Sequence, residues 1–229
     1  MKFYCLICAR KNSKGLPNKN IKLLHGIPLI SHTLRFAKKV KYFENIFVSS
    51  DSEKIKKISN FEKVQFDQRP KYLSGDKTSE LKVWKYSLKK FIKENKVKIN
   101  DNIVILPCTS PLRRKIDVLN MIKKFKSSKL NGLVAVTKSK KNPFFNMIKL
   151  SPTNKIVKLM PDNNKVNRRQ DAPDVYDITT NCYIFRISYI LKTDHIFQNS
   201  IEGYEVPYYS TIDIDDKFDF QLAKKLMKK

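Results

Sequence analysis

Apolar runs and amphipathic segments alternate along the chain. Four continuous apolar runs, at 3–9, 45–50, 102–107 and 132–138, predict buried strands. The segments between them carry apolar residues at helical spacing and predict helices at 28–40, 51–59, 78–95 and 116–127. Strands separated by helices are typical of a mostly parallel sheet covered on both faces, which is an α/β fold.

The alternation breaks between 139 and 180. Short apolar pieces and long polar stretches there predict short strands and loops, and hence a small inserted subdomain. The regular pattern resumes with a strand at 181–187 and ends with a helix that begins near Asp216. We therefore expect a single domain over 1–229 that contains this insertion.

Length and composition fit such a domain. The chain has 229 residues, of which 41% are hydrophobic, with five Gly and ten Pro, so a disordered or low-complexity protein is excluded. No apolar stretch approaches the length of a membrane span, and the N-terminal apolar run is too short for a signal peptide. We expect a soluble, cytoplasmic protein without a membrane partner.

The net charge of +26 invites a nucleic-acid-binding interpretation. However, the lysines are dispersed along the chain, and arginine, the commonest base-reading residue, occurs eight times. Dispersed lysines indicate solvated faces, so no nucleic-acid partner is expected, although a basic binding module remains the alternative from a different class. A positive field also favours an anionic substrate such as a nucleotide or an acidic sugar.

Cysteine and histidine offer little chemistry. Cys5 and Cys8 form a C-x-x-C pair, but on a strand a spacing of three sends the side chains to opposite faces. No second pair follows, and the three histidines are far apart in sequence. Core thiols in a reducing compartment are the better interpretation.

The loop after the first strand, ARKNSKGLPNKN, is the first candidate site. It supplies Arg10, Lys11, Lys14 and Lys19, with backbone amides around Gly15, at the strand end where open α/β sheets bind ligands. Cations and free amides together suit a polyphosphate. The loop matches neither the Walker nor the dinucleotide-binding glycine pattern, and a solvated lysine loop is the alternative.

The segment IDIDD near the C-terminus is the second candidate site. Asp213 and Asp215 are two residues apart, so in an extended segment both carboxylates face the same side, as oxygen ligands for Mg²⁺ require. The alternative is a helix N-cap at Asp215 or Asp216, and both roles are compatible.

Two arginine pairs complete the candidates. Arg113 and Arg114 follow the third strand in CTSPLRR, and Arg168 and Arg169 lie in NRRQD. Arginine can clamp a carboxylate or phosphate with two hydrogen bonds, and a surface or interface ion pair is the alternative.

Taken in order, ARKNSKGLPNKNI, SSDSEKI, RPKYLSGDKTSE, TSPLR, RRQDAP and IDIDDKFDF resemble the CMP-sialic acid synthetases, or acylneuraminate cytidylyltransferases. The resemblance covers nearly the whole chain. It implies a Rossmann-like nucleotidyltransferase that dimerises through its insertion, giving a homodimer. It also implies transfer of CMP from CTP to the anomeric hydroxyl of a nine-carbon acidic sugar, with Mg²⁺ as cofactor and pyrophosphate as leaving group.

The resemblance also implies roles for single residues. Arg10, Lys19, Asp213 and Asp215 are the implied catalytic set, with Asp213 and Asp215 on the metal. Nucleotide contacts are implied for Ala9, Arg10, Lys14, Asn20, Arg69, Thr78 and Ser79. Sugar contacts are implied for Arg168, Arg169 and Gln170.

This chain departs from the family pattern at three places. Pro107 replaces a glutamine, Glu80 stands where a serine is expected, and 177–180 replaces an Asn-Gly pair. The first and third concern the sugar half, so a variant nonulosonate such as legionaminic or pseudaminic acid is favoured over N-acetylneuraminate. Alternatives are a CMP-Kdo synthetase acting on an eight-carbon acid, and an inactive relative acting as an interaction protein.

Overall fold

A computed structural model describes residues 1–13, 15–75, 77–160, 166, 168–197 and 200–227. The strands in these parts are β1 (Phe3–Cys8), β2 (Leu23–Leu24), β3 (Ile27–Pro28), β4 (Phe43–Ser50), β5 (Gln65–Gln68), β6 (Asn102–Ile105), β7 (Gly132–Lys138), β8 (Ile148–Leu150), β9 (Ile156–Lys158), β10 (Tyr176–Arg186) and β11 (Ile201–Glu205). The helices are α1 (Leu29–Lys38), α2 (Glu53–Phe61), α3 (Glu80–Lys93), α4 (Lys115–Lys126), α5 (Ile187–Lys192) and α6 (Lys217–Leu226).

Seven of the described strands form one central sheet in the order β11-β7-β10-β6-β1-β4-β5. Every neighbouring pair is parallel except those that include β10, which runs antiparallel to both β6 and β7. The carboxyl ends of the parallel strands therefore meet at one edge of the sheet, and β10 begins at that same edge. This edge carries the site described below.

Helices cover both faces of the sheet, as predicted. One face packs under α1, α2 and α4, with side chains such as Leu34, Ile55 and Phe125 in the core. The other packs under α3 and α5, where Trp84 and Phe91 lie against β1, β4 and β6. The predicted α/β class and mostly parallel sheet are confirmed.

Contacts of single residues define the faces of β1 and the first turns of α2 and α6. Cys5 belongs to the core on one face of the sheet and Cys8 packs against the other, and both thiols are free. Ser52 caps α2, since its hydroxyl accepts a hydrogen bond from the backbone N–H of Ile55. Asp216 caps α6 in a reciprocal capping box with Asp219. None of the described helices is long and apolar enough to cross a membrane.

The irregular stretch contains a small separate hairpin, β8 paired with β9. The strand predicted at 181–187 starts earlier than expected, because β10 begins at Tyr176, which pairs with Lys138 of β7. The polar sequence of 176–180 concealed this strand. Thr179 is nevertheless buried, and its hydroxyl donates to the backbone oxygen of Ala135 at 3.0 Å.

Candidate active site

A cleft of about 480 Å³ opens at the carboxyl edge of the sheet. Its walls come from the loop after β1, the segment between β5 and α3, the residues after β6, Thr180 of β10, and the segment before α6. The lining side chains include Arg10, Ser13, Lys19, Asn20, Arg69, Thr78, Glu80, Cys108, Thr109, Thr180, Asp213 and Asp215. The sheet thus gathers residues from both ends of the chain, as open α/β sheets do at their ligand sites.

The loop after β1 is tied to the C-terminal aspartate segment. The buried Lys19 ammonium donates to Asp215 Oδ1 at 2.9 Å and to the backbone oxygen of Ile214. Leu16 packs in the same small core as Ile214. Gly15 approaches the backbone oxygen of Asp215 so closely that a Cβ would collide with it. These contacts fix the two polar segments against each other.

Asn20 is also held by its surroundings. Its amide donates to the backbone oxygen of Arg10 at 2.9 Å, and the Cys108 thiol donates to its Oδ1 at 3.0 Å. Burial raises the pKa of Cys108 to about 12, so the thiol stays protonated and remains a donor. Cys108 therefore orients Asn20, a role that no sequence pattern indicated.

Asp213 has the most unusual environment of the described carboxylates in the cleft. Its Oδ1 is buried and has no hydrogen-bond partner within the described residues. Burial raises the pKa of Asp213, and the charge of Asp215 adds to this, whereas the Thr109 hydroxyl and Lys19 oppose it. A buried carboxylate oxygen without a partner, close to the charge of a second carboxylate, has the chemistry of a cation ligand.

The residues present fit Mg²⁺ if the ion takes its other ligands from water and substrate. The described parts of the chain contain no cluster of three or more metal-binding side chains, so Asp213 and Asp215 would supply two oxygens at most from carboxylates of the protein. Mg²⁺ commonly binds through one or two carboxylates and takes its other ligands from water and substrate phosphates. The pair therefore suits a cation that arrives with a polyphosphate.

Arg69 forms part of the opposite wall. It is buried, and its Nη2 donates to the backbone oxygen of Ser49 at 2.8 Å, while its Nε has no partner among the described atoms. Glu80, at the start of α3, is exposed to the cleft. The pKa of Glu80 is raised, mainly because the surrounding protein displaces part of its water. The charge on Asp213 raises the pKa further, whereas the charge on Arg69 lowers it.

Two of the residues expected to touch a nucleotide do not line the cleft. Ala9 is buried, and its backbone N–H donates to the oxygen of Ser49 at 3.1 Å. Ser79 is the N-cap of α3, since its hydroxyl accepts from the backbone N–H of Lys82. Lys14 lies outside the described residues.

A second pocket of about 300 Å³ adjoins the cleft. Thr180 and Asp213 line both. The other walls come from Thr137, Asp177–Thr179, Tyr208, Thr211–Ile212 and Asp219. This pocket is rich in carboxylate and hydroxyl oxygens, and it meets the cleft at Asp213, whose Oδ1 lacks a partner.

Neither arginine pair lines the cleft. Buried Arg113 donates to the backbone oxygens of Pro107 and Asn181, so it links the segment after β6 to the middle of β10, and Arg114 pairs with Asp117. Arg168 pairs with Asp171 at 3.1 Å, the ion-pair alternative considered above. Arg169 and Gln170 line a separate cavity of about 390 Å³ beside Lys138 and Asn142.

Comparison with known proteins decides the family. The family model described as cytidylyltransferase matches residues 4–229. The chain belongs to the cytidylyltransferase family. It is therefore a nucleotidyltransferase, and the resemblance found in its motifs is confirmed.

This cytidylyltransferase aligns with several known proteins over nearly its whole length. The chain is 29% identical over 225 residues to post-translational flagellin modification protein B of Campylobacter coli, and the alignment covers 98% of this chain and 94% of that protein. It is 29% identical over 224 residues to CMP-N,N'-diacetyllegionaminic acid synthase of Campylobacter jejuni, covering 97% and 94%. A pseudaminic acid cytidylyltransferase from the same species is 29% identical over 230 residues, covering 100% and 97%.

Solved structures support the fold. A CMP:2-keto-3-deoxy-manno-octonic acid synthetase complexed with CTP superposes with a TM-score of 0.72 at 15% identity and covers 99% of this chain and 98% of its own. A 4-diphosphocytidyl-2C-methyl-D-erythritol synthase superposes with a TM-score of 0.75 at 10% identity, with full coverage of both chains. At such identities the likeness establishes the Rossmann-like nucleotidyltransferase fold that the motifs implied.

Proposed function

We propose that this cytidylyltransferase transfers CMP from CTP to the anomeric hydroxyl of an acidic nonulosonate sugar and releases pyrophosphate. The junction of the cleft with the second pocket at Asp213 and Thr180 carries the proposal. A transferase needs its two substrates to meet at the group transferred. A nucleotide in the cleft and a sugar in the second pocket would meet beside Asp213.

The cleft suits CTP. Arg10 and Lys19 provide positive charge for the triphosphate, with Lys14 on the same loop, and Asn20 presents its oriented amide toward the ribose. Arg69 and Thr78 face the remaining space, where the unpaired Arg69 Nε offers a donor to the ribose or base. Because phosphoryl-type transfer depends mostly on positioning and charge neutralisation, these cations would account for much of the expected catalysis.

Asp213 and Asp215 would hold Mg²⁺. When bound with CTP, the ion would neutralise phosphate charge and lower the pKa of the attacking sugar hydroxyl. Lys19, fixed on Asp215, would then place its positive charge beside both the aspartates and the phosphates. Removal of divalent cations is expected to abolish transfer, and restoring Mg²⁺ is expected to recover it.

The acceptor is proposed to be a legionaminic or pseudaminic acid-like sugar. Relatives whose names specify these acids align over almost their full length. The departures at Pro107 and 177–180 support a variant acid, since 177–180 lines the second pocket and Pro107 the cleft beside it. The Kdo enzyme is represented by a likeness of fold alone.

A homodimer is part of the proposal. The β8–β9 hairpin exposes Ile148, Leu150, Ile156 and Val157, an apolar surface that a second copy would cover. Since Arg169 and Gln170 line no part of their own cleft, a sugar contact from them would be made across the dimer. Light scattering should give a dimer, and Ile156→Asp should give a monomer, whereas a monomeric wild type would refute this part.

The activity test measures pyrophosphate release with CTP and Mg²⁺ against N-acetylneuraminic, legionaminic, pseudaminic and Kdo acids, with ATP, GTP and UTP as controls. Turnover with one nonulosonate and CTP is the expected result. No turnover with any acid, although CTP binds, would refute the acceptor class and leave the nucleotide assignment.

The four free thiols also agree with the expected cytoplasmic location.

A further inference from the structure

The second pocket contains negative charge but must accept an anion if the proposed function holds. Its lining includes the carboxylates of Asp177, Asp213 and Asp219 and no lysine or arginine among the described residues. An acidic sugar carries a carboxylate, and placing it beside these groups without a cation would be unfavourable. The proposed Mg²⁺ would offset the charge of Asp213, and a further positive charge at the edge of the pocket would stabilise the carboxylate of the sugar.

Lys140 lies at that edge. Its Nζ is 3.7 Å from the centroid of the Tyr208 ring, and Tyr208 lines the pocket. A cation over an aromatic face keeps N–H groups directed away from the ring, so it can still bind an anion. Within the described residues, Lys140 has no carboxylate partner.

Three of the neighbouring cations are already paired with carboxylates. Lys138 Nζ lies 2.7 Å from Asp174, Arg114 makes two hydrogen bonds to Asp117, and Arg168 pairs with Asp171. These contacts neutralise the charge that each cation would otherwise offer to a ligand. Lys140 is thus a lysine next to the pocket whose ammonium contacts an aromatic ring and, within the described residues, no carboxylate.

The ring that holds Lys140 is itself fixed. Tyr208 begins a 3₁₀ turn in which the Thr211 hydroxyl donates to the backbone oxygen of Tyr208 at 2.7 Å. Asn181 Nδ2 donates to the oxygen of Ser210 at 2.7 Å, which attaches the turn to β10. The turn leads directly into Ile212 and Asp213, so the position of the ring is coupled to that of the proposed metal site.

We propose that Lys140, held in place by the Tyr208 ring, binds the carboxylate of the acceptor acid. The inference rests on the proposed function and adds a residue that selects acidic sugars. The carboxylate would lie at the Lys140 edge, while the hydroxyl and N–H groups of the sugar donate to Asp177 and the threonine hydroxyls deeper in the pocket.

The test compares steady-state constants of Lys140→Met with those of Lys141→Met, a matched loss of charge at the next residue, which is also exposed. We expect the KM for the acid acceptor to rise roughly 10-fold in Lys140→Met, a change of about 1.4 kcal/mol. The KM for CTP should stay unchanged, and Lys141→Met should resemble the wild type. Lys140→Arg should restore most of the affinity.

The ring provides a second comparison. Tyr208→Leu should raise the acceptor KM in the same direction, while Tyr208→Phe, which keeps the ring, should not. The methyl ester of the acceptor, used as a competitive inhibitor, should bind wild type about 10-fold more weakly than the acid but bind Lys140→Met as well as the acid does. That loss of discrimination separates a carboxylate contact from a general disturbance of the pocket.

The outcomes also separate this inference from the proposed function. If wild type transfers CMP to none of the acids, the proposed function fails and the role of Lys140 fails with it. If wild type is active but Lys140→Met and Lys141→Met have the same acceptor KM, only the role of Lys140 is refuted.

Discussion

Replacing Gly15 with alanine should damage the active site while leaving the fold intact. A Cβ at Gly15 would lie inside the 3.0 Å limit from the backbone oxygen of Asp215, and a backbone atom cannot rotate away. Restoring an ordinary contact of about 3.4 Å requires the loop and the aspartate segment to separate by about 1 Å. Lys19 bridges these same two segments through Asp215 and Ile214, so the separation would stretch its contacts.

A displacement of 1 Å at reacting groups can cost on the order of 100-fold in rate. We therefore expect Gly15→Ala to lower kcat/KM for CMP transfer by between about 10-fold and 100-fold. The melting temperature should fall by about 3 °C or less, roughly 1 kcal/mol for a domain of this size, because the clash disturbs one local contact and leaves the central sheet unchanged.

The matched control is Gly75→Ala. Gly75 lines the same cleft, but a Cβ there would be 3.7 Å from the Thr78 hydroxyl, which is an ordinary contact. Both variants are assayed by pyrophosphate release and by thermal denaturation. Equal activity of the two alanine variants would show that the close approach at Gly15 does not position the site, and the reasoning would be refuted.

Three further changes test other parts of the site. Asp213→Asn should abolish Mg²⁺-dependent transfer yet keep or raise the melting temperature, because it removes the charge of a buried carboxylate whose Oδ1 lacks a partner. A clear loss of stability, or near-normal turnover at saturating Mg²⁺, would contradict this. Lys19→Met should lower kcat by about 100-fold or more through loss of the fixed charge, measured at saturating CTP, and an unchanged kcat would refute it. Cys8 and Cys108, both with a pKa raised to about 12 by burial, should be almost wholly protonated at pH 8 and react slowly with iodoacetamide in the native protein; rapid labelling followed by mass spectrometry would show the opposite.

The nucleotide half of the site was largely predictable from sequence. The polar loop follows a strongly apolar strand, and strand ends of a parallel sheet share an edge, so Arg10 and Lys19 were expected there. The spacing of Asp213 and Asp215 indicated one side of an extended segment. The structure places all four of these residues in the cleft, although their chemical roles stay predictions.

Other contacts had no local signal. Cys108 orients Asn20 although 88 residues separate them, and only the pairing of β1 with β6 brings the two near each other. Residues 176–180 were assigned to the insertion because their side chains are polar. They form a strand because the main chain pairs with β7 and Thr179 satisfies its hydroxyl on Ala135, and neither contact is visible in the residue pattern.

The two halves of the site also differ in how they can vary. Lys19, Asn20 and Arg69 are buried and donate to backbone oxygens, so replacing any of them would remove a buried hydrogen bond. Asp177 and Ile178 are exposed on the first part of β10, where a substitution changes the pocket surface without disturbing such a bond. Substitutions at these two positions are therefore expected to cost less stability than substitutions of Lys19, Asn20 or Arg69. This difference supports the proposal that the departures from the family pattern at 177–180 concern the sugar rather than the nucleotide.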